Sequence, residues 1–439
     1  MTRTIATTTR EHATKDLHIT LLGAWRTVTG AMTRIDGPAG SLLVDCGVAR
    51  GRDADASGSL DDARRVDAVI LTHGHHDHVG RLPALFEAGY DGPVYGTRAT
   101  LDIAEINLRD SLRLASASQH DIRRFLEHYR NSRRQLRYDG NDRIAGMDVS
   151  LREAGHILGS SSVEVASDHS RIVLSGDLGR PGTPLLRDPF TDWPAPVDLV
   201  VMESTYGSRE HRCSPADARV KLAAALQRTI DRRGHLLIPA FAIGRTQTIL
   251  YHLNALFEDG EVPPVPVAVD TPMGIQITEL HDAAHRLFDA EALGRIALGD
   301  DPLDFDDLYA VRRGRDSHRL RDMPGPLVIL AGSGMCTGGR IVRHLVDRLP
   351  EDSTTVLLVG YQAPGTPGRA LQRADPGDRV ELDGASVRVA AHVETLSGLS
   401  AHADRRELTA WLDAIPGNPA VALHHGDEEA QEALAQWLG

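Results

Sequence analysis

Apolar and polar residues follow two rhythms along this chain, and the rhythm changes partway. In the first half the apolar positions come in short runs bounded by turn residues. Leu17-His18-Ile19-Thr20-Leu21-Leu22 alternates as a half-buried strand does. The turn Gly37-Pro38-Ala39-Gly40 leads into a second run at 41–47, and residues 66–71 make a third. Residues 98–138 take up helical spacing with many arginines. Strands resume at 147–151, then as a hairpin of 162–166 with 171–174, then at 197–202.

After Tyr206 helical stretches alternate with apolar strands at 235–239, 266–270, 327–332 and 355–360, which predicts a parallel α/β sheet. A short helix with Leu408, Trp411 and Leu412 on one side follows, then a strand at 420–423. The parts flanking the α/β block both place polar residues directly after strands, so the block reads as an insertion into one domain. The expected organisation is a disordered N-terminus over 1–16, a first domain over 17–207, the insertion over 208–385, and a return to the first domain over 386–439.

Charge and cysteine usage narrow the class. A formal net charge of −13 argues against a protein that coats nucleic acid indiscriminately, but not against a nuclease with a local basic groove. Lysine occurs only at Lys15 and Lys221, so basic contacts fall to arginine, which suits bidentate phosphate binding. Cys46, Cys213 and Cys336 are far apart, which excludes a disulfide framework and a cysteine zinc site and fits a reducing cytosol. No apolar run reaches membrane-spanning length, and residues 1–16 lack the apolar core of a signal peptide. A cytoplasmic protein with no membrane contact is expected.

The chemistry concentrates after the third run, in His73-Gly74-His75-His76-Asp77-His78. A loop leaving a buried strand can hold several imidazoles facing one point, and imidazole with carboxylate suits zinc. Adjacent side chains on a loop diverge, so His73 and His75 could serve one metal and Asp77 and His78 a second. His76 is then a spacer. Asp45, at the end of the second run, could brace a ligating histidine from behind. In the insertion each strand ends in a small-residue loop, and such loops at carboxyl ends of parallel strands favour anions. Arg245, Ser333, Gly334, Arg340, Gly368 and Arg369 are the candidate substrate contacts there.

Together with His156 in Gly155-His156-Ile157-Leu158-Gly159-Ser160 and Asp177 in Ser175-Gly176-Asp177-Leu178-Gly179, the histidine loop resembles the metallo-β-lactamase superfamily. Glu203-Ser204-Thr205-Tyr206-Gly207, Ser400-Ala401-His402-Ala403-Asp404 and His425-Gly426 resemble its β-CASP branch, in that branch's order. The likeness runs from about Leu17 onward and is greatest to compact bacterial and archaeal ribonucleases related to the cleavage-and-polyadenylation endonuclease. It implies an α/β fold, a metallo-β-lactamase αββα sandwich with an inserted parallel α/β β-CASP domain. It implies two zinc ions, one held by His73, His75 and His156, one by Asp77, His78 and His425, with Asp177 bridging. Asp77 and Asp45 are then catalytic as well, and Glu203 with His402 form an acid pair that protonates the leaving group. The implied function is hydrolysis of RNA, most readily as an endonuclease. A 5′→3′ exonuclease, a DNA-processing nuclease, a non-catalytic RNA-binding subunit and a homodimer stay open at this stage.

Overall fold

The computed structural model describes residues 3–7, 9–49 and 58–439. The chain divides into two compact units, one of Met1–Gly182, Leu186–Glu210 and Ala401–Gly439, the other of Thr183–Leu185 and His211–Ser400.

Among the described residues the first unit holds two seven-stranded sheets. One runs in the order Glu11–Ala13, His18–Gly23, Met32–Gly37, Gly40–Val44, Ala68–Ile70, Val94–Gly96, Arg133–Gln135. The other runs Ile5–Ala6, Ala420–His424, Leu199–Glu203, Arg171–Leu174, Ser161–Ala166, Met147–Glu153, Asp142–Ile144. The period-two pattern decides what each face meets. Ala68 and Ile70 join a core built from both sheets, with Ile19, Leu42, Val149, Val165 and Val201. Val69 and Leu71 face the other way, into a core shared with helices Leu82–Glu87, Arg98–Leu114 and Gln119–Ser132. On the second sheet Val200, Met202 and Leu423 meet Leu408, Trp411 and Leu434 of helices Arg405–Asp413 and Glu428–Leu438. The result is helix, sheet, sheet, helix, the expected αββα sandwich.

The second unit is built on six strands in the order Leu308–Ala310, Val267–Asp270, Leu327–Ala331, His235–Pro239, Thr355–Leu358, His392–Thr395, every neighbouring pair parallel. Leu327–Ala331 is buried throughout, which explains its unbroken apolar run. A small antiparallel pair, Arg379–Leu382 with Ala385–Arg388, accompanies it.

Three expectations are corrected. The N-terminus is not disordered where it is described: Glu11–Ala13 pairs antiparallel with His18–Gly23, and Ile5–Ala6 pairs parallel with Ala420–His424. These strands are too short to carry a periodic signal. Met1, Thr2 and Thr8 lie outside the described residues. The insertion begins at 211 instead of 208, and it ends at 400 instead of 385. Strand His392–Thr395 keeps residues beyond 385 in the second unit's sheet, and its half-exposed edge position hides it from an apolar-run reading.

Candidate metal centre

Thr72, just past strand Ala68–Ile70, sets the histidine loop. Its N–H donates to Asp45 Oδ1 at 2.8 Å and its hydroxyl to Asp45 Oδ2 at 2.8 Å. Its carbonyl accepts from the Ser161 N–H at 2.8 Å, which ties the loop to the second sheet. Asp45 follows strand Gly40–Val44 with φ +62°, and His425 follows Ala420–His424 with φ +50°. Left-handed backbone at non-glycine residues persists where surrounding bonds over-determine it, and such residues cluster at functional sites.

The ligand atoms form two sets. His73 Nε2 and His156 Nε2 each lie 3.1 Å from His75 Nδ1. Opposite them His78 Nε2 and His425 Nε2 are 3.1 Å apart, with Asp77 Oδ2 3.6 Å from His425 Nε2. Asp177 stands between. Its Oδ2 is 3.6 Å from His73 Nε2 and 3.7 Å from His156 Nε2, while its Oδ1 is 3.3 Å from His78 Nε2. Ligands about 2.0–2.1 Å from a tetrahedral ion stand roughly 3.3 Å from one another, so both sets fit a divalent metal. Asp177 Oδ1 is buried without a hydrogen bond, which suits an oxygen that faces a cation.

The electrostatics differ between the two sets. Burial pushes the imidazoles of His73, His75 and His156 below their ordinary range, which keeps their lone pairs available. Burial also opposes charge on His78, but Asp177 and Asp45 outweigh it and hold that imidazole up. Burial opposes charge on Asp177 and Asp77 as well, yet the imidazoles around them hold both carboxyls below the usual carboxylate range.

Four of the five ligating rings are oriented through their other nitrogen. His78 Nδ1 is 2.7 Å from Asp45 Oδ2, His156 Nδ1 is 2.8 Å from the Ala401 carbonyl, and His73 Nδ1 is 3.1 Å from Thr72 Oγ1. His425 Nδ1 is 3.2 Å from Thr205 Oγ1. Thr72, Thr205 and Ala401 escaped the sequence reading, because nothing in a threonine or alanine signals contact with a ligand remote in sequence. His76 lies outside both sets, with Nε2 3.4 Å from Ser111 Oγ.

Glu203 ends a strand in register with His424, which brings it beside the centre. Its Oε1 accepts from the Leu178 N–H at 2.6 Å and lies 3.3 Å from His402 Nδ1; its Oε2 accepts from the Thr205 N–H at 3.3 Å. Burial alone would lower the His402 imidazole, but Glu203, then Asp177 and Asp77, hold it up at about 9. The His402 ring lies tilted against that of His156, with centroids 4.5 Å apart and planes 48° apart. Helix Arg405–Asp413 fixes the approach, since Asp404 and Glu407 form a capping box at its start.

In the second unit Ser333 and Gly334 lie on a strand-end loop, while Arg245, Arg340, Gly368 and Arg369 lie in the first turns of helices Arg245–Glu258, Arg340–Arg348 and Pro367–Arg373, and their side chains do different things. Ser333 Oγ accepts from the Thr337 N–H at 3.0 Å, and the Gly334 carbonyl accepts from Gln362 Nε2 at 3.0 Å. Gly368 is small for packing: a Cβ there would lie 1.7 Å from Gln362 Oε1. Arg369 hydrogen-bonds Gln372 in its own helix, and Arg245 opens helix Arg245–Glu258. Arg340 is a correction. Its Nη1 donates to buried Asp270 at 2.6 Å and to the Val311 carbonyl at 2.8 Å, and its Nη2 to the Arg312 carbonyl at 3.1 Å. Asp270 also holds Ser317 and His344, so Arg340 clamps the fold and has little left for a phosphate.

Comparison with known proteins matches this geometry. Residues 26–219 match the metallo-beta-lactamase superfamily, 246–371 the Beta-Casp domain, and 386–439 the Zn-dependent metallo-hydrolase RNA specificity domain. Ribonuclease TTHA0252 of Thermus thermophilus is 37% identical over 428 residues, covering 96% of each chain. The transcription termination factor FttA of Methanosarcina mazei is 32% identical over 97% of this chain and 70% of its own. A crystal structure of an Enterococcus faecalis protein of unknown function shares the fold at TM-score 0.56 and 12% identity, over 95% of this chain and 96% of that one. Identity at the level of the Thermus enzyme, held over nearly the whole of both sequences, settles the family: this chain belongs to the β-CASP ribonucleases of the metallo-β-lactamase superfamily and is a metal-dependent hydrolase.

Proposed function

We infer that this chain is a two-zinc endoribonuclease that hydrolyses RNA phosphodiester bonds, leaving 5′-phosphate and 3′-hydroxyl ends, in RNA processing or decay. The observation that carries the reading is Asp177, whose two oxygens face two separate ligand sets. His73, His75, His156 and Asp177 would hold one ion; Asp77, His78, His425 and Asp177 the other. Two such ions supply Lewis-acid stabilisation of a phosphate and a water ionised at neutral pH. The chain's own residues supply the rest. Glu203, fixed by two backbone N–H groups, keeps the His402 imidazolium charged and oriented. His402 then gives its Nε2 proton to the departing ribose 3′-oxygen. Support for RNA comes from the Thermus relative, named a ribonuclease, and from the match of residues 386–439, which include His425, to the Zn-dependent metallo-hydrolase RNA specificity domain.

The test is an assay on RNA labelled at either end, with matched DNA alongside. Internal cuts that both labels report, with a 5′-phosphate on each downstream product and a 3′-hydroxyl on each upstream one, support the reading. Stepwise loss of mononucleotides from the 5′ end would make it an exonuclease, and uncut RNA would end it.

Two smaller effects are expected. Asp45→Ala removes the partner of His78 Nδ1 and of Thr72, so metal affinity falls about 10- to 100-fold with the fold kept. Competition against a chelator measures it; unchanged affinity would reduce Asp45 to a turn residue. Arg369→Ala and Arg245→Ala should each flatten the salt dependence of single-stranded RNA binding by about 0.7 in log–log slope. Arg340→Ala should leave that slope unchanged, because its guanidinium is spent on Asp270.

A further inference from the structure

Phe241 is 45% exposed, on the loop that follows strand His235–Pro239. Single exposed apolar residues are ordinary; this ring is unusual in how it is supported. Its loop is pinned. The Phe241 carbonyl accepts from the Thr246 N–H at 3.1 Å and from Thr246 Oγ1 at 2.8 Å. Buried Gln247 accepts from the Gly244 N–H at 2.8 Å and donates to the Ala242 and Gly274 carbonyls at 3.2 and 3.1 Å. The ring is therefore held out by a rigid frame.

It is also backed. A Cβ on Gly334 would come within 2.9 Å of Phe241 Cδ2 and Cε2, so bare backbone lies against the ring. Buried Gln362 braces that backbone, donating to the Gly334 carbonyl at 3.0 Å and the Gly360 carbonyl at 3.2 Å. Tyr361, beside Gln362, is 47% exposed. Its strand, Thr355–Leu358, pairs in parallel with His235–Pro239, so the two exposed aromatics sit past the ends of neighbouring strands. The loops at these strand ends are rich in glycine. A Cβ added at Gly338, Gly360 or Gly365 would meet nothing within 4 Å. A protein-docking hot spot would be ringed by further apolar contacts. A rigid aromatic face among open backbone and helix N-termini suits a flat base that carries a phosphate.

We propose that Phe241, backed by Gly334 and braced by Gln362, is a stacking platform for one base of single-stranded RNA, with Tyr361 beside it. This rests on the RNA reading above. Stacking of one base predicts a loss of about 5- to 150-fold when the ring is removed.

The test steps a single abasic ribose along an RNA substrate and measures kcat/KM for the full chain. In the wild type the abasic site costs activity at one or two adjacent positions. Phe241→Ala should lower kcat/KM on intact RNA by a similar factor and erase the abasic penalty there. Phe241→Leu should behave like alanine, and Phe241→Trp like wild type. All should hydrolyse bis(4-nitrophenyl) phosphate, which has no base, at the wild-type rate. An abasic penalty that survives in Phe241→Ala overturns the platform, as does a full rate in Phe241→Leu. Loss of the small-diester activity would make the ring merely structural. A wild type that cleaves the small diester but no RNA would instead overturn the RNA reading itself, and the platform with it.

Discussion

Asp177→Ala is expected to empty both halves of the metal centre at once. The carboxylate is buried and sits 3.3 to 3.7 Å from ligand nitrogens of both sets. Under the two-metal reading, removing it would take a ligand from each ion and the negative charge that offsets both. Asp77→Ala touches only the second set, through His425. Metal analysis of purified protein should therefore read about two ions per chain in the wild type, near none in Asp177→Ala and about one in Asp77→Ala. Metal-ion catalysis contributes several kcal/mol, so Asp177→Ala should lower kcat by three or more orders of magnitude. Full metal content in Asp177→Ala would show that the carboxylate bridges nothing.

The second large effect separates proton delivery from metal binding. His402→Ala should keep its metal and its fold while RNA hydrolysis slows by about 10²–10⁴-fold, the range for a general acid. His402 Nδ1 is 3.3 Å from Glu203 Oε1 and 3.9 Å from Asp177 Oδ2, so the ring borders the centre without joining a ligand set. The defect should shrink on a substrate whose leaving group needs no proton, such as a nitrophenolate. Glu203→Gln should act the same way, and the double variant should be little worse than His402→Ala, because the pair works as one unit. The sign of the pH effect follows. The acid must be protonated to act, and losing the Glu203 carboxylate lowers the imidazole, so the alkaline limb should move to lower pH. Metal loss in His402→Ala, or an equal defect with the activated leaving group, would assign His402 another role.

The histidine loop was readable because its ligands lie within six residues and follow an unmistakable apolar run. Glu203, His402 and His425 were readable only through motifs, since sequence spacing alone cannot bring positions 203 and 402 together. What stayed hidden depended on distant partners. Arg340 looks like a phosphate contact beside its glycines, and only the fold shows Asp270, seventy residues earlier, taking its guanidinium. Strand His392–Thr395 hides for a related reason: an edge strand needs apolar residues on little of its surface, so pairing alone defines it. Gly368 and Gly334 looked alike in sequence, yet one makes room for Gln362 and the other lies against Phe241.

Strand Ala420–His424 lies inside its sheet, between Ile5–Ala6 and Leu199–Glu203, and its last residue leads into His425. Synthesis runs from the amino end, so that slot stays vacant until residues far along the chain have left the ribosome. His73, His75, His156 and Asp177 can gather early, but the second ligand set lacks His425 until the end. An RNA-cutting enzyme is made on an RNA template. The order of its strands delays the completed centre until the codon for residue 425 has been read.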